Sequence, residues 1–187
     1  MKWLLITVLG LLFSAGQGFS KEWLTYEKCT FVDEKYYDGD SFYVKSPTGY
    51  TYIFRLYGVD CAETDSRYPD RLQEQADEFG VEVDELLKWG LEAKSFVKKF
   101  LRKPFTVYTQ KFKAGGQSKQ ARYFAVIVNE DGERLDEALV EAGLARAYGL
   151  GADWPERTSP ERYLRKLHSI ESKAKREDVG IWKNSTK

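Results

Sequence analysis

The sequence predicts an α+β domain of five β-strands and three α-helices. Two patterns predict it: short runs rich in Tyr, Phe, Val, Thr and Ile are separated by turn residues, and longer segments repeat apolar residues every three or four positions. At 187 residues the chain has room for one compact domain. We find no internal repeat and no low-complexity tract.

The strands are predicted where aromatic and β-branched residues concentrate. Residues 26–57 contain three such runs, separated by turn signals at Asp38-Gly39 and at Ser46-Pro47-Thr48-Gly49. Two further strands are predicted at residues 106–108 and 123–128. The turns are short, so the first three strands are expected to be antiparallel.

The helices are predicted from amphipathic periodicity. The first covers residues 86–100 and ends before Pro104, and the second covers residues 135–142 and stops at Gly143. The third begins at Ser159-Pro160, a typical N-cap followed by proline in the first turn. One helix between strands three and four is compatible with an OB-type barrel.

Two segments have weaker patterns. Residues 64–88 are polar and rich in acidic side chains, with a helical turn or two predicted at residues 73–79. Residues 183–187 form a polar C-terminal tail that we expect to be frayed.

Residues 1–20 are predicted to be a secretory signal peptide. Lys2 precedes an apolar run at residues 3–13, and small residues follow at 14–18. The run is shorter than the roughly 20 apolar residues of a membrane-spanning helix. We therefore expect residues 21–187 to form a single secreted or periplasmic domain, with no stable membrane association after signal removal.

Charge is distributed unevenly along the chain. Residues 21–87 carry 7 basic and 16 acidic side chains, whereas residues 88–187 carry 21 and 13. An acidic segment that supplies metal ligands and a basic segment that faces a polyanion would fit a nuclease. Solvated helix faces rich in Lys and Glu would give a similar count, so the charge balance does not by itself indicate nucleic acid.

The cysteines and the histidine limit the chemistry. The sequence leaves open whether Cys29 and Cys61 form a disulfide, which an exported protein allows, or remain buried thiols. His168 is the single histidine, and there is no Cys-x-x-Cys motif, so a zinc site is not expected. The lack of a phosphate-binding P-loop gives no support for nucleotide triphosphate binding.

Charged residues concentrate in two short runs next to predicted strands, Asp38-Gly39-Asp40-Ser41-Phe42 and Arg55-Leu56-Tyr57-Gly58-Val59-Asp60-Cys61-Ala62-Glu63. Carboxylate oxygens suit a hard cation such as Ca²⁺ or Mg²⁺. A guanidinium group suits a phosphate, because it donates two parallel hydrogen bonds. Together they indicate metal-assisted hydrolysis of a phosphodiester.

These two runs resemble the thermonuclease family, which includes staphylococcal nuclease. The similarity covers most of the chain from Cys29 onward and continues through Gly90-Leu91-Glu92-Ala93-Lys94-Ser95-Phe96, Arg122-Tyr123-Phe124-Ala125-Val126, residues 135–148, Leu164-Arg165-Lys166 and Gly180-Ile181-Trp182. The resemblance implies that the five strands close into an OB-type barrel. It also shows that residues 64–88 are longer than the corresponding link in staphylococcal nuclease.

The resemblance implies a role for each of nine residues. The implied Ca²⁺ ligands are Asp38, Asp40, Asp60 and the backbone carbonyl of Cys61. The implied catalytic residues are Glu63, which positions or deprotonates the attacking water, and Arg55 and Arg122, which bind the phosphate. The implied substrate-binding residues are Lys119, near a terminal phosphate, and Tyr148, beside the base.

Each of these residues also has a purely structural interpretation. Asp38-Gly39 alone is an ordinary hairpin turn, Arg55 beside Asp60 could be a structural ion pair, and Arg122 could be a surface residue on a strand. We favour the catalytic interpretation because all of them occur together at the spacing of the family.

The chain departs from the family around the nucleotide pocket. Gln120 stands where an aromatic residue packs near the sugar, and Ala121 replaces a glycine. The second tyrosine expected after Tyr148 is missing, and the sequence leaves open whether Trp154 takes its place or packs on the barrel. A base stacked on an aromatic ring is worth about 1–3 kcal/mol, so these changes bear on affinity.

The resemblance therefore implies a secreted, Ca²⁺-dependent nuclease that acts on DNA and RNA and leaves 3′-phosphate ends. We expect a monomer that prefers single strands and has little sequence preference, because such a site reads phosphate and a stacked base. The alternative is a non-catalytic OB-fold module that binds single-stranded nucleic acid or a protein partner. The retained charged residues argue against this alternative.

Overall fold

The computed structural model describes residues 22–34, 37–115, 120–154 and 158–186. The predicted signal peptide lies outside these described residues. The strands within them are β1 (Leu24–Val32), β2 (Ser41–Lys45), β3 (Thr51–Leu56), β4 (Val59–Cys61), β5 (Phe105–Thr109), β6 (Lys113–Ala114), β7 (Arg122–Val128) and β8 (Ala145–Ala147). The helices are α1 (Pro69–Phe79), α2 (Val83–Phe100), α3 (Leu135–Glu141), α4 (Pro160–Arg176) and a short 3₁₀-helix, η1 (Gly180–Asn184).

Five strands form a closed ring in the order β3-β2-β1-β5-β7, and β7 pairs with β3 to close it. The closing pair is parallel and sets Ile53 opposite Arg122 and Arg55 opposite Phe124. The other four pairings in the ring are antiparallel. The predicted five-stranded OB-type barrel is therefore confirmed.

Three short strands lie outside the ring. β6 pairs with β7, and β4 pairs with β8 in a separate two-stranded sheet. In that small sheet Asp60 lies opposite Arg146, and Cys61 lies opposite Ala145. The small sheet therefore brings Asp60 next to a basic residue 86 positions further along the chain.

The three predicted helices are present as α2, α3 and α4. The N-cap prediction for α4 is confirmed, because the side chain of Ser159 accepts a hydrogen bond of 3.2 Å from the Arg162 N–H. In α2 the buried face consists of small and aliphatic residues, Leu86, Gly90, Ala93 and Val97. The spacing of these four residues is that of an amphipathic helix.

The predicted number of helices was wrong, because residues 64–88 contain an additional complete helix, α1. It begins with Pro69 in its first turn and ends at Gly80, whose φ of 70° is the left-handed conformation of a helix C-cap. Its buried residues include Gln75 together with Leu72 and Phe79. A buried glutamine within a polar segment weakens the apolar pattern from which helices are predicted.

The core has two parts. The barrel interior is filled by fully buried aromatic and aliphatic side chains from the ring strands, such as Phe42, Phe54, Leu56 and Val107. A second apolar cluster joins α1, the start of α2 and the C-terminal 3₁₀-helix; it comprises Ala62, Leu72, Ala76, Phe79, Leu86, Ala174, Ile181 and Trp182. This second cluster fixes α1 against the rest of the domain.

The C-terminal tail is held in place up to Thr186, so the predicted fraying of residues 183–186 was wrong. Ser185 Oγ donates a hydrogen bond of 2.8 Å to the Phe79 carbonyl, and the Thr186 N–H donates one of 2.9 Å to the Gly80 carbonyl. These bonds satisfy carbonyl groups at the C-terminal end of α1. They are possible because α1 is a complete helix, whereas the sequence pattern indicated only a helical turn or two at residues 73–79.

Cys29 and Cys61 are both buried free thiols, which resolves the question of a disulfide. Burial raises the pKa of Cys29 to about 11, and burial also raises the pKa of Cys61 well above its usual value. Across the described residues, the helices are too short or too polar to cross a lipid bilayer.

Candidate active site

The predicted site residues meet where the end of β3 approaches the turn before β2, the small β4–β8 sheet and helix α1. Asp40 immediately precedes β2, Arg55 lies near the end of β3, and Asp60 lies in the middle of β4. Ser41 and Arg55 are directly opposite each other in the β2–β3 ladder, which brings Asp40 close to the arginine. Three residues from later in the chain complete the cluster: Arg71, Gln75 and Arg146.

Arg55 joins the two buried aspartates. Its guanidinium donates hydrogen bonds of 2.5 Å to Asp40 Oδ1 and 2.9 Å to Asp60 Oδ1. The Arg55 side chain is 17% exposed, whereas those of Asp40 and Asp60 are 2% and 1% exposed. The structure thus contains the Arg55–Asp60 ion pair, which the sequence analysis considered as a structural alternative to a catalytic role for Arg55. The Arg55 side chain nevertheless remains partly exposed to solvent.

Asp60 accepts hydrogen bonds from four side chains. Arg55 and Arg71 bond to its Oδ1 atom at 2.9 and 3.2 Å. Gln75 bonds to its Oδ2 atom at 3.0 Å, and Arg146 bonds to the same atom at 2.9 and 3.2 Å. A carboxylate offers about four lone-pair positions, so the acceptor capacity of Asp60 is filled.

Asp40 has fewer partners than Asp60. Its Oδ1 atom accepts from Arg55, and its Oδ2 atom accepts a hydrogen bond of 2.8 Å from the Cys61 N–H. Its own N–H donates to Asp38 Oδ1 at 3.1 Å, the local bond expected of an Asp-Gly turn. Asp40 therefore keeps lone-pair capacity on both oxygens, and Asp38 lies beside it.

The two buried aspartates differ in charge balance, and their pKa values shift in opposite directions. Burial raises the pKa of Asp40 well above its usual value; Arg55 opposes the rise, while the charges of Asp38 and Asp60 add to it. Burial acts in the same direction on Asp60, but three guanidinium groups outweigh it and lower the Asp60 pKa. Asp40 is thus the buried carboxylate whose surroundings supply too little positive charge to balance it.

Gln75 is fully buried and holds the Asp60–Glu63 segment. Its amide nitrogen donates hydrogen bonds of 3.0 Å to Asp60 Oδ2 and to the Cys61 carbonyl. Its amide oxygen accepts a hydrogen bond of 2.9 Å from the Glu63 N–H. One side chain on α1 thereby fixes three residues in or next to β4.

Glu63 contacts Arg71, which the sequence analysis did not identify. Arg71 Nε donates a very short hydrogen bond to Glu63 Oε1, and Arg71 Nη2 donates to Asp60. Arg71 and Gln75 are four residues apart, so they lie on the same face of α1. Two features of the sequence could have revealed these residues. Arg71 and Gln75 follow Pro69 at a helical spacing of four, and Arg146 places a charge between two alanines.

Arg122 lies on the closing strand and contacts the turn that carries Asp40. Its Nη1 atom donates a hydrogen bond of 3.1 Å to Ser41 Oγ, and its Nη2 atom donates a very short one to the Gly115 carbonyl. Its Nε atom is buried and has no hydrogen-bond partner among the described residues. The structure therefore brings Arg122 to Ser41, which follows Asp40 in the chain and lies directly opposite Arg55 in the β2–β3 ladder.

The predicted substrate-binding residues are described only in part. Lys119 lies outside the described residues. Tyr148 is 53% exposed, and the Arg146 guanidinium lies 4.4 Å from the centre of its ring. Trp154 packs on Tyr108, with ring centres 4.6 Å apart, which favours the packing interpretation of this tryptophan.

The backbone of Glu63 also packs against α2, at Gly90. A Cβ atom built on Gly90 would lie 2.1 Å from the Glu63 carbonyl oxygen and 2.8 Å from that of Ala62. Contacts this short with backbone atoms would require either α2 or the backbone at Ala62 and Glu63 to move. Gly90 thus allows α2 to approach the candidate site closely.

We expect Gly90→Ala to lower the free energy of unfolding by about 1–3 kcal/mol, the usual cost of overpacking. In an unconstrained helix the same change stabilises by about 1 kcal/mol, so the expected sign is opposite to that of helix propensity. Urea unfolding measures it, with Ser95→Ala on the exposed face of α2 as the control. A Gly90→Ala protein as stable as its parent would contradict this packing.

The site offers part of the ligand set that a hard divalent cation requires. Among the described residues, no three acidic, cysteine or histidine side chains are arranged as a ready-made metal site. Asp38 and Asp40 supply free oxygen lone pairs and a deficit of positive charge, which fit Ca²⁺ or Mg²⁺. Asp60 fits such an ion only if one of its present donors withdraws.

A closed five-stranded barrel with arginines and buried carboxylates at one edge defines an OB-type domain with a candidate phosphate site. A family model described as staphylococcal nuclease homologue matches residues 53–184. The chain belongs to this family. The matched range contains Arg55, Asp60, Glu63 and Arg122, whereas Asp38 and Asp40 precede it. A comparison with proteins of assigned function gave no match.

Proposed function

We propose that the protein is a secreted or periplasmic, Ca²⁺-dependent nuclease that hydrolyses phosphodiester bonds of DNA and RNA and leaves 3′-phosphate ends. The main support is the cluster in which Arg55 is held between two buried aspartates, with Glu63 three residues beyond Asp60. Membership of the staphylococcal nuclease homologue family supports the nuclease class. The N-terminal sequence pattern supports export.

In this proposal the arginines bind the scissile phosphate. Asp40 and Asp60 fix the Arg55 guanidinium, so it needs little reorganisation to donate hydrogen bonds to a phosphate oxygen. The unsatisfied Nε–H of Arg122 carries a free-energy cost that an anionic ligand oxygen would remove. Both groups would stabilise negative charge that develops in the transition state.

Glu63 is proposed to orient the attacking water and accept its proton. Its backbone is fixed by Gln75 and by the close approach of Gly90, so the carboxylate starts from a defined position. A general base within hydrogen-bond reach of the water is the usual requirement for this role.

Ca²⁺ is proposed to bind at Asp38 and Asp40, with Asp60 and the Cys61 carbonyl as further ligands. The Cys61 carbonyl accepts one hydrogen bond from Gln75 and retains a second lone pair. When bound, the ion would act as a Lewis acid that polarises a phosphoryl oxygen. It would also offset the deficit of positive charge around Asp40.

The proposed substrate is a single strand bound by a monomer. Tyr148 is an exposed aromatic side chain beside Arg146 and would support an unpaired base by stacking. Contacts to phosphate and to one stacked base carry little sequence information. The enzyme is therefore expected to cleave both DNA and RNA with weak sequence preference.

The test is cleavage of 5′-labelled single-stranded DNA and RNA by the purified protein in Ca²⁺, and again after excess EGTA. We expect cleavage that EGTA abolishes and that renewed Ca²⁺ restores. The products should carry 3′-phosphate ends, which resist labelling at the 3′ end until a phosphatase is added. Cleavage that persists in EGTA would contradict the Ca²⁺ requirement. Binding without cleavage under any metal condition would favour the non-catalytic OB-fold module.

A further inference from the structure

Arg71 occupies a position between two of the predicted functional carboxylates. Its Nε atom donates to Glu63 and its Nη2 atom donates to Asp60, so a single guanidinium bridges both acids. Bridging of two carboxylates by one positive group is also what a divalent cation does in a protein site. Arg71 therefore neutralises Asp60, one of the proposed metal ligands, and at the same time pairs with Glu63, the proposed general base.

The three guanidinium groups around Asp60 differ in how freely they can leave. The side chains of Arg55 and Arg146 are 17% and 9% exposed, whereas that of Arg71 is 42% exposed. Long exposed side chains exchange rotamers rapidly, but buried ones are held by their surroundings. Arg71 is thus the donor to Asp60 that can withdraw into solvent with the smallest structural change.

The helix that carries Arg71 is fixed at the site. Gln75, one helical turn later, is fully buried and bonds to Asp60, Cys61 and Glu63. Leu72 and Phe79 pack in the second apolar cluster. Withdrawal of Arg71 therefore requires rotation of its side chain and no displacement of α1.

We propose that Arg71 is an internal counter-cation that competes with a divalent cation for Asp60 and at the same time holds Glu63 away from its proposed role toward the water. The metal-binding state is then the state in which Arg71 has released both carboxylates. The inference rests on the proposed function for the identity of the ion, but its basis is the geometry of Arg71. It assigns α1 a role in controlling when the site accepts a metal.

The competition has a measurable consequence. Apparent affinity falls in proportion to the fraction of molecules in the binding-competent state, so a state populated about 10% of the time weakens metal binding about tenfold. Without the Arg71 bridge, every molecule is in the state that can bind the metal ion. Ca²⁺ should then bind about tenfold more tightly.

Calorimetric titration with Ca²⁺ alone, without nucleic acid, measures this directly on the parent, Arg71→Gln and Arg71→Lys. The lysine variant separates the contribution of the bridge from that of the charge, because it keeps the positive charge but cannot present two N–H donors in a fixed fork to two carboxylates. Arg67→Gln is the matched control, since Arg67 pairs with Asp65 on the exposed surface nearby. Far-UV circular dichroism and urea unfolding check that each variant is folded.

We expect Arg71→Gln to bind Ca²⁺ about tenfold more tightly than the parent, Arg71→Lys to gain no more than Arg71→Gln, and the Arg67→Gln protein to match the parent. If Arg67→Gln gains as much Ca²⁺ affinity as Arg71→Gln, the effect is long-range charge and the competition is refuted. Unchanged or weaker binding in both Arg71 variants also refutes it, while Ca²⁺-dependent cleavage would leave the proposed function intact. If none of the proteins binds Ca²⁺, both this inference and the calcium requirement fail.

Discussion

Arg55→Met is expected to lower the free energy of unfolding by about 3–5 kcal/mol and to reduce phosphodiester hydrolysis by about 100-fold or more. The loss of stability follows from burial, because Asp40 keeps one N–H donor and loses its guanidinium partner. Asp60 retains Arg71, Arg146 and Gln75, so most of the cost arises at Asp40. Urea unfolding and a cleavage assay measure the two effects separately.

The pH dependence of the same variant identifies the carboxylate responsible. Without Arg55, the pKa of Asp40 in the folded state rises further above its unfolded value of about 3.9. A raised folded-state pKa contributes stability at low pH that is lost as the pH rises through that pKa. In EGTA, the difference between parent and variant should therefore be larger at pH 8 than at pH 5.

Arg102→Met is the control for the loss of an arginine. Arg102 is exposed after the end of α2, and surface substitutions of this kind usually change stability by less than about 0.5 kcal/mol. If the difference in the free energy of unfolding between Arg55→Met and its parent does not change with pH, the lost stability comes from packing of the arginine side chain. It would then not reflect an unpaired Asp40.

The barrel was predictable because its strands carry their signal locally. β2 and β3 are five and six residues long and are rich in aromatic and β-branched side chains, so the enrichment is visible in the sequence. β4 (Val-Asp-Cys) and β8 (Ala-Arg-Ala) have three residues each, too few for such an enrichment to be recognised, and each has a charged residue at its centre. Closure of the ring was predicted only from the resemblance to a known family, because no local pattern encodes it, and the parallel direction of the closing pair comes from the structure.

The site was predictable as a set of residues but not as a set of contacts. Asp40, Arg55 and Asp60 stand out in the sequence because they interrupt strand segments with charge. The partners of Asp60 come from positions 11, 15 and 86 residues later, and a single sequence gives no indication that they converge. In the structure the Asp60 carboxylate is paired with three guanidinium groups, whereas the sequence analysis predicted it to be a metal ligand.

Glu63→Gln is the second change with a large expected effect, and it separates catalysis from folding. A positioned general base contributes about 10²–10⁴-fold to a rate, so turnover of single-stranded DNA in Ca²⁺ should fall by that factor. The amide has the same shape as the carboxylate, and its oxygen can still accept from Arg71. The bond from the Glu63 N–H to Gln75 belongs to the backbone and is unchanged.

The readout that matters is the contrast between turnover and binding. Affinity for single-stranded DNA in Ca²⁺ should persist in Glu63→Gln, because the arginines that would bind the phosphate are untouched. Glu74→Gln removes an equal charge from the exposed face of α1 and should leave turnover at the parent value. Undiminished turnover in Glu63→Gln would exclude Glu63 as the base and leave phosphate binding by the arginines as the principal source of catalysis.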